Sequence, residues 1–162
     1  MQSITLDAID LQLLDLLQHD AAQSNQALAE RVHVSPPTCL RRVKRLHDVG
    51  LIERQVALLQ PDRLAALQGH GLSAIVEVTL DRQGAEWLDG FEARAVAEDC
   101  VQQCWRVSPG PDFMLVVHTR DMPGYLALSQ RLLTDDANVR NVKAFFATRR
   151  AKFETKVPLA LT

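Results

Sequence analysis

Residues 35–50 carry the start signal, the apolar pattern and the stop signal of one helix. Ser35 precedes Pro36, and this pair favours a helix start because the serine hydroxyl can accept a free backbone N–H and proline is tolerated at the first helical position. Gly50 can adopt the left-handed conformation that ends a helix. The apolar residues between these ends recur at helical spacing, which predicts one buried face made of Leu40, Val43 and Leu46.

Two shorter helices are predicted before this one. Apolar residues recur at helical spacing from Asp7 to Leu17, and Ser24 is placed as the N-cap of a second helix that runs from Asn25 to about Val32. Three helices with a tight turn between the second and the third make a helix-turn-helix.

The third helix is strongly basic, although the chain of 162 residues has a net charge of -2. On a helical wheel centred on Val43, the far side carries Pro37, Thr38, Arg41 and Arg45, and the flanks carry Arg42 and Lys44. Residues 31–54 contain six basic and two acidic side chains, so their local net charge is +4. A polyanion relieves the repulsion among such closely spaced cations.

We therefore predict that this helix binds the major groove of double-stranded DNA, with its N-terminal residues near the bases. The predicted DNA-binding residues are Ser35, Pro37, Thr38, Arg41, Arg42, Lys44 and Arg45. The alternative is that Arg42 or Arg45 pairs with acidic residues of the first helix and that the basic surface is only solvated.

The second half of the chain predicts a different architecture. Residues 51–59 have strand-like content and suggest a wing or a connecting strand, and residues 61–70 suggest a linker with a short helical run. The elements predicted after the linker are strand 72–80, helix 85–97, strands 101–108 and 113–119, helix 123–133 and strand 141–150. This βαββαβ order is that of a ferredoxin-like domain, so the predicted fold class is α+β.

These patterns divide the chain into a winged helix-turn-helix domain over 1–60, a linker over 61–70 and a ferredoxin-like domain over 71–162. Hydrophobic residues make up 47% and charged residues 23% of the chain, which are globular values. No apolar run is long enough to span a membrane and the first residues do not resemble a signal peptide, so we expect a cytoplasmic protein with no membrane partner.

The sequence contains no pattern typical of an enzyme or of a metal site. Cys39, Cys100 and Cys104 lack the paired spacing of zinc ligands, and glycines are too sparse for a phosphate-binding loop. Titratable side chains show no grouping that suggests a nucleophile with its base. We therefore expect no catalytic residues, no metal and no cofactor.

Three segments of the chain closely resemble the Lrp/AsnC family, also known as leucine-responsive or feast/famine regulators. The resemblance is carried by residues 28–32 (LAERV), 34–46 (VSPPTCLRRVKRL) and 49–52 (VGLI), with further similarity at 6–10 (LDAID) and 59–62 (LQPD). It covers nearly the whole chain. It implies a winged helix-turn-helix, a ferredoxin-like ligand-sensing and oligomerisation domain, assembly into dimers and then tetramers or octamers, and an amino acid as effector.

The resemblance also implies an effector site. The family has a Gly-x-Tyr-Asp turn between the second and third strands, which corresponds here to residues 107–113 (VSPGPDF). The glycine is displaced by one position and Pro111 replaces the tyrosine, so Asp112 and the position of the loop are what carry over. Residues 145–147 (FFA) match positions that reach the effector from a neighbouring dimer. The implied effector-binding residues are Ser108, Gly110, Asp112, Phe145 and Ala147.

Asp112 can be interpreted in two ways. Its carboxylate is suited to the ammonium group of an amino acid, while backbone N–H groups of the loop would bind the carboxylate of the ligand. Alternatively, Asp112 only caps a turn. The predicted function is a sequence-specific transcriptional regulator that responds to an amino acid, and the alternatives are an architectural DNA-binding protein without a ligand and, less favoured, an enzyme built on the ferredoxin-like half.

Overall fold

The computed structural model describes residues 4–160, except for the side chain of Asp62, and the chain forms two compact units. One unit contains the residues up to Leu58 together with those from Lys152 onward, and the other contains Leu59–Ala151. The limits 1–60, 61–70 and 71–162 remain sequence-based predictions. They differ from this division because the structure groups residues 152–160 with the N-terminal unit.

The N-terminal unit contains helices α1 (Ala8–His19), α2 (Asn25–Arg31) and α3 (Pro36–Asp48). Ser24 is the N-cap of α2, and its hydroxyl accepts a hydrogen bond from the backbone N–H of Ala27 at 3.2 Å. Ser35 is the N-cap of α3, but its hydroxyl contacts the hydroxyl of Thr38 at 2.8 Å and caps no backbone N–H. The predicted start of α3 is therefore confirmed, whereas the predicted capping hydrogen bond is wrong.

The core of this unit lies between the three helices. Its fully or nearly buried apolar residues are Leu13, Leu28, Ala29, Val32, Cys39 and Leu46. Leu40 was predicted to be buried, but 60% of its surface is exposed. Cys39 and Leu46 are seven residues apart and Val43 lies between them, so the inner face of α3 is centred on these three and Leu40 lies about a quarter turn away.

Residues 51–60 follow α3 and form no strand in the described chain. The predicted wing or connecting strand is therefore wrong for the single chain, where these residues have no neighbouring strand to pair with. Apolar side chains of this segment, including Val56 and Leu58, are mostly exposed. The predicted linker then begins with a helix, α4 (Pro61–Gln68), which ends at Gly69 with a φ of +85°.

The second unit has the predicted βαββαβ order. Its elements are β1 (Leu72–Leu80), α5 (Ala85–Val96), β2 (Val101–Arg106), β3 (Phe113–Thr119), α6 (Met122–Ser129) and β4 (Val139–Phe146), and α6 continues into a π-helical turn (Gln130–Thr134). The antiparallel sheet has the order β2-β3-β1-β4. The last strand, predicted over 141–150, begins earlier and ends at Phe146, and beyond this end the N–H of Ala147 donates to the Ser73 carbonyl.

Alternate residues of the central strands face opposite sides of this sheet. On one side, α5 and α6 cover side chains such as Val76, Val78 and Phe113, and Phe113 packs against Phe91 of α5 with a ring-centroid distance of 4.8 Å. The opposite side, which we call the open face, carries side chains such as Ile75. The alternation follows from the period of two in a strand.

The C-terminal segment 152–160 packs against α1 in the N-terminal unit. Gln18 holds the backbone of Val157 through two hydrogen bonds, because its amide N–H donates to the Val157 carbonyl at 3.1 Å and its amide oxygen accepts from the Val157 N–H at 2.6 Å. Lys156 pairs with Asp15 at 2.7 Å. The chain therefore passes between the two units twice, once on each side of Leu59–Ala151.

Candidate DNA-binding surface and effector region

The turn between α2 and α3 fixes where α3 begins. His33 adopts a φ of +55°, which is uncommon for a residue other than glycine. The backbone N–H of Val34 donates to the Ala29 carbonyl at 3.0 Å, and the amide of Asn25 donates to the Pro36 carbonyl at 2.8 Å. These contacts hold the first turn of α3 against α2, as a helix-turn-helix requires.

Two of the predicted DNA-binding arginines are engaged in ion pairs with α1. The Nη1 atom of Arg42 donates to both carboxylate oxygens of Asp7, at 3.0 and 2.8 Å, and to Oδ1 of Asp10 at 2.9 Å. Nη2 of Arg45 donates to Oδ2 of Asp10 at 2.5 Å. This is the arrangement that the alternative interpretation anticipated. We call these four residues the α1–α3 charge network.

The network also caps α1. The carboxylate of Asp7 accepts the N–H of Asp10 at 2.9 Å, and the carboxylate of Asp10 accepts the N–H of Asp7 at 3.2 Å. The backbone hydrogen bond from Asp10, together with the hydrogen bond from Arg42, lowers the pKa of Asp7. The hydrogen bonds that Arg42 donates to the two carboxylates raise its pKa, so its charge is fixed. The two carboxylates at the N-terminal end of α1 thus neutralise Arg42 and Arg45 of α3.

The remaining predicted residues lie on the outside of the unit. Arg41 and Lys44 are exposed, and neither forms an ion pair or a hydrogen bond with another residue in the described part of the chain. Pro37 is also exposed and Thr38 is partly exposed. These residues lie three or four positions apart, so they share one side of α3. The structure therefore separates the predicted set into an outward group and a group engaged with α1.

The loop between β2 and β3 is placed as predicted. Its backbone is tied to neighbouring strands, because the N–H of Val107 donates to the Asp112 carbonyl at 3.1 Å and the N–H of Asp112 donates to the Val78 carbonyl at 2.9 Å. Oδ2 of Asp112 accepts the N–H of Leu80 at 2.7 Å. The carboxylate therefore holds the end of β1, which fits the turn-capping interpretation. Ser108 and Gly110 are exposed at the tip of the loop.

The other predicted effector residues lie at the opposite end of β1. Phe145 is paired in register with Ile75, and the N–H of Ala147 donates to the Ser73 carbonyl. Asp112 bonds to Val78, which lies three residues along β1 from Ile75 and five from Ser73, so about 10 Å of strand separates the loop from Phe145 and about 17 Å separates it from Ala147. A single chain therefore does not bring the loop and residues 145–147 into one site. Phe146 lies on the other side of the sheet, where its ring contacts Tyr125 at 5.0 Å.

The open face of the sheet carries several exposed apolar side chains beside polar ones such as the ion-paired Glu77 and Lys143. Ile75 has 45%, Phe145 has 52% and Trp105 has 58% of its surface exposed. Val116 lies beside Ile75 in the sheet, and Met114 lies beside Trp105. Exposed apolar patches are typical of surfaces that bind another molecule.

Both halves of the chain match family models. The AsnC-type helix-turn-helix domain matches residues 6–47, and the Lrp/AsnC ligand binding domain matches residues 73–157. The chain belongs to the Lrp/AsnC family. The members of this family are DNA-binding transcriptional regulators with a ligand-binding domain rather than enzymes, and this assignment confirms the resemblance seen in the sequence.

Several relatives of this Lrp/AsnC protein are similar over almost their whole length. It is 35% identical to the leucine-responsive regulatory protein of Rhizobium meliloti, over 96% of this chain and 97% of the relative. It is 34% identical to the DNA-binding transcriptional activator DecR of Escherichia coli, over 95% and 99%. A crystal structure of a transcriptional regulator from Neisseria meningitidis in complex with L-Met has a TM-score of 0.83 and 29% identity, and covers 96% of this chain and 98% of that one.

Sequence reasoning missed two features of this Lrp/AsnC regulator. The predicted site residues did not include Asp7 and Asp10, although the alternative interpretation considered ion pairs between the first helix and Arg42 or Arg45. The contact between Gln18 and the backbone of Val157 was also not predicted, because no local sequence pattern indicates it. Among the described residues, no helix is long and apolar enough to cross a membrane, and no group of three His, Cys, Asp or Glu side chains is suited to a metal ion.

Proposed function

We propose that this regulator binds double-stranded DNA by inserting the N-terminal half of α3 into the major groove. The observation that carries this proposal is the outward group of α3, in which Arg41 and Lys44 are exposed and bear charges that no acidic side chain of the described chain neutralises. Arginine is the most frequent bidentate reader of guanine. Pro37, Thr38 and Arg41 would approach base edges, while Lys44 and the hydroxyl of Ser35 would bind phosphate.

The effector that we propose is an amino acid. The family has a ligand-binding domain, and a related structure from Neisseria meningitidis holds L-Met. The loop at residues 107–112 offers exposed backbone groups at Ser108 and Gly110, and Asp112 adds a carboxylate. Because Phe145 and Ala147 lie far from this loop within one chain, a complete site would combine the loop of one protomer with residues 145–147 of another.

We propose that self-association occurs through the open face of the sheet. Ile75, Phe145 and Trp105 are large apolar residues that remain exposed in a single chain, and contact with a second copy would remove them from water. A two-fold dimer presents two copies of α3, which suits half-sites about one helical turn apart. Binding of an effector between protomers would change the spacing of the helices only through its different affinity for the alternative assemblies. Such a protein acts where the DNA is, in the cytoplasm.

Selection of random duplex DNA by the purified protein tests the proposal directly. Bound sequences are identified with wild-type protein and with Arg41→Gln, at one fixed salt concentration, alone and with each common amino acid in turn. The expected result is a palindromic motif that the variant enriches weakly and whose affinity changes with one amino acid.

Other outcomes of the selection contradict the proposal in distinct ways. If a motif is found but no amino acid changes the affinity for it, the proposed effector is refuted and an architectural role in DNA bending is favoured. If the protein binds DNA but enriches no sequence motif, the proposal of sequence-specific regulation is also refuted. No enrichment of DNA at all would refute the assignment of α3 as the recognition helix.

A further inference from the structure

The carboxylate of Asp10 is the most deeply buried charged group of the N-terminal unit. Only 1% of the residue is exposed. A buried carboxylate needs partners that neutralise it and satisfy its oxygens, and here Arg42, Arg45 and the backbone N–H of Asp7 all donate to it. The two arginines come from one helix and are three positions apart, so one carboxylate holds two successive turns of the same side of α3.

We infer that Asp10 is a positioning residue, which turns Arg42 and Arg45 away from the DNA and fixes the rotation of α3 so that Arg41 and Lys44 face the groove. This inference rests on the proposed role of α3 in DNA binding. It divides four closely spaced cations into two with a structural function and two that contact the nucleic acid, and it assigns a function to a residue outside the recognition helix.

The geometry of Arg42 supports this division. Three carboxylate oxygens surround its Nη1 atom, and the side chain is only 23% exposed. Its Nε atom is buried and has no hydrogen-bond partner among the described residues. An arginine that reads guanine presents its guanidinium to the base edge, whereas the guanidinium of Arg42 faces α1.

Charge supports the same division. Two carboxylates and two guanidiniums cancel within the α1–α3 charge network, so the network as a whole offers little attraction to a phosphate. The network lines an open cleft of about 340 Å³ together with Thr5 and Arg41. The carboxylates of this cleft would repel a phosphate placed between Arg42 and Arg45. Attraction to DNA is therefore concentrated on Arg41 and Lys44, which have no acidic partner among the described residues.

The test uses the salt dependence of binding to two duplexes. An operator chosen by the selection above and a scrambled duplex of equal length are titrated with full-length protein at several salt concentrations. Each phosphate contact contributes about 0.9 to the slope of log affinity against log salt concentration. The variants are Lys44→Gln, which removes a proposed phosphate contact, Arg42→Gln and Asp10→Asn. The control is Asp48→Asn, which also neutralises one carboxylate but at an exposed position at the C-terminal end of α3.

We expect the variants to change two different quantities, the salt slope and the ratio of operator to scrambled affinity. Lys44→Gln lowers the slope by about 0.9 for each recognition helix bound, whereas Arg42→Gln leaves the slope unchanged and lowers the ratio of operator to scrambled affinity. Asp10→Asn removes the ion pair that holds Arg45 and one of the two that hold Arg42, so binding to the scrambled duplex becomes tighter and steeper in salt while the ratio falls. Asp48→Asn keeps the wild-type ratio.

Two results would overturn the inference. One is a slope for Arg42→Gln that falls as far as that for Lys44→Gln. The other is an Asp10→Asn variant of wild-type helix content that keeps its ratio or weakens both duplexes equally, as a purely structural role predicts. If Asp10→Asn does not fold, the comparison of Lys44→Gln with Arg42→Gln decides alone. A wild-type protein without operator preference would instead refute the proposed function.

Discussion

A charge introduced on the open face of the sheet should dissociate the protein into monomers. Ile75 lies at the centre of this face on β1, between Val116 of β3 and Phe145 of β4, and 45% of its surface is exposed. Ile75→Asp keeps the backbone of the strand intact and places a carboxylate in the middle of the proposed interface. Two copies of the carboxylate would approach each other across a two-fold axis.

The size of the effect follows from the exposed fraction of Ile75. Complete burial of such a side chain contributes about 1.5–3 kcal/mol, so the part still exposed in one chain is worth about 1 kcal/mol, and about 2 kcal/mol when both copies are counted. Juxtaposed like charges in an interface cost a further amount of several kcal/mol. A loss of about 4 kcal/mol corresponds to a dissociation constant about 1000-fold higher.

Sedimentation equilibrium over a range of protein concentrations measures this change. The control is Val96→Asp, which makes the same substitution of charge for a branched apolar residue on α5, where 67% of Val96 is exposed on the helical layer. Circular dichroism confirms that both variants keep their secondary structure. The reasoning is refuted if Ile75→Asp associates as tightly as Val96→Asp, because the open face would then not be the interface.

Three further predictions concern the stability of the two units. Leu13→Ala, at a fully buried position, should lower the free energy of unfolding of the N-terminal unit by about 3 kcal/mol, whereas Leu40→Ala should have little effect; far-UV circular dichroism during urea denaturation measures both. The hydrogen bond from Lys156 lowers the pKa of Asp15 below its ordinary value of 3.8, so this carboxylate stabilises the fold above that pH and loses its contribution as the pH falls through the lowered pKa. Asp15→Asn should therefore be less stable than wild type near neutral pH and equally stable in strong acid, and a persisting difference there would contradict the pairing. Gly71→Ala should destabilise the second unit by about 2 kcal/mol, because φ is +65° and a Cβ would lie 2.8 Å from an imidazole on β3; tryptophan fluorescence reports this, since both tryptophans lie in that unit.

Local signals in the sequence predicted the elements well because each depended on a few adjacent residues. Ser24, Ser35 with Pro36, and the prolines and glycine of residues 109–111 all mark boundaries that the structure contains. The start and end of β1 were predicted without error. Helix and strand starts of this kind are set by caps and turns, whose chemistry acts over one to four residues.

The features that were missed depend on residues far apart in the chain. Asp10 and Arg42 are 32 positions apart, and Gln18 and Val157 are 139 positions apart, so no local pattern identifies either contact. The inner face of α3 was misplaced because Cys39 and Leu40 are both apolar, and only packing against the other helices decides between them. Residues 51–59 have the composition of a strand, but a strand also needs a partner that the single chain does not supply.

The α1–α3 charge network changes how the basic recognition helix should be understood. Four cations on one helix repel one another by a few tenths of a kcal/mol per pair, and that repulsion alone suggested a polyanionic partner. The structure relieves half of the charge internally, since Asp7 and Asp10 neutralise Arg42 and Arg45. The helix can therefore fold without DNA while keeping two exposed cations for it. A count of basic residues overestimates the phosphate contacts of such a helix, and the pairing of each cation with α1 determines how many remain.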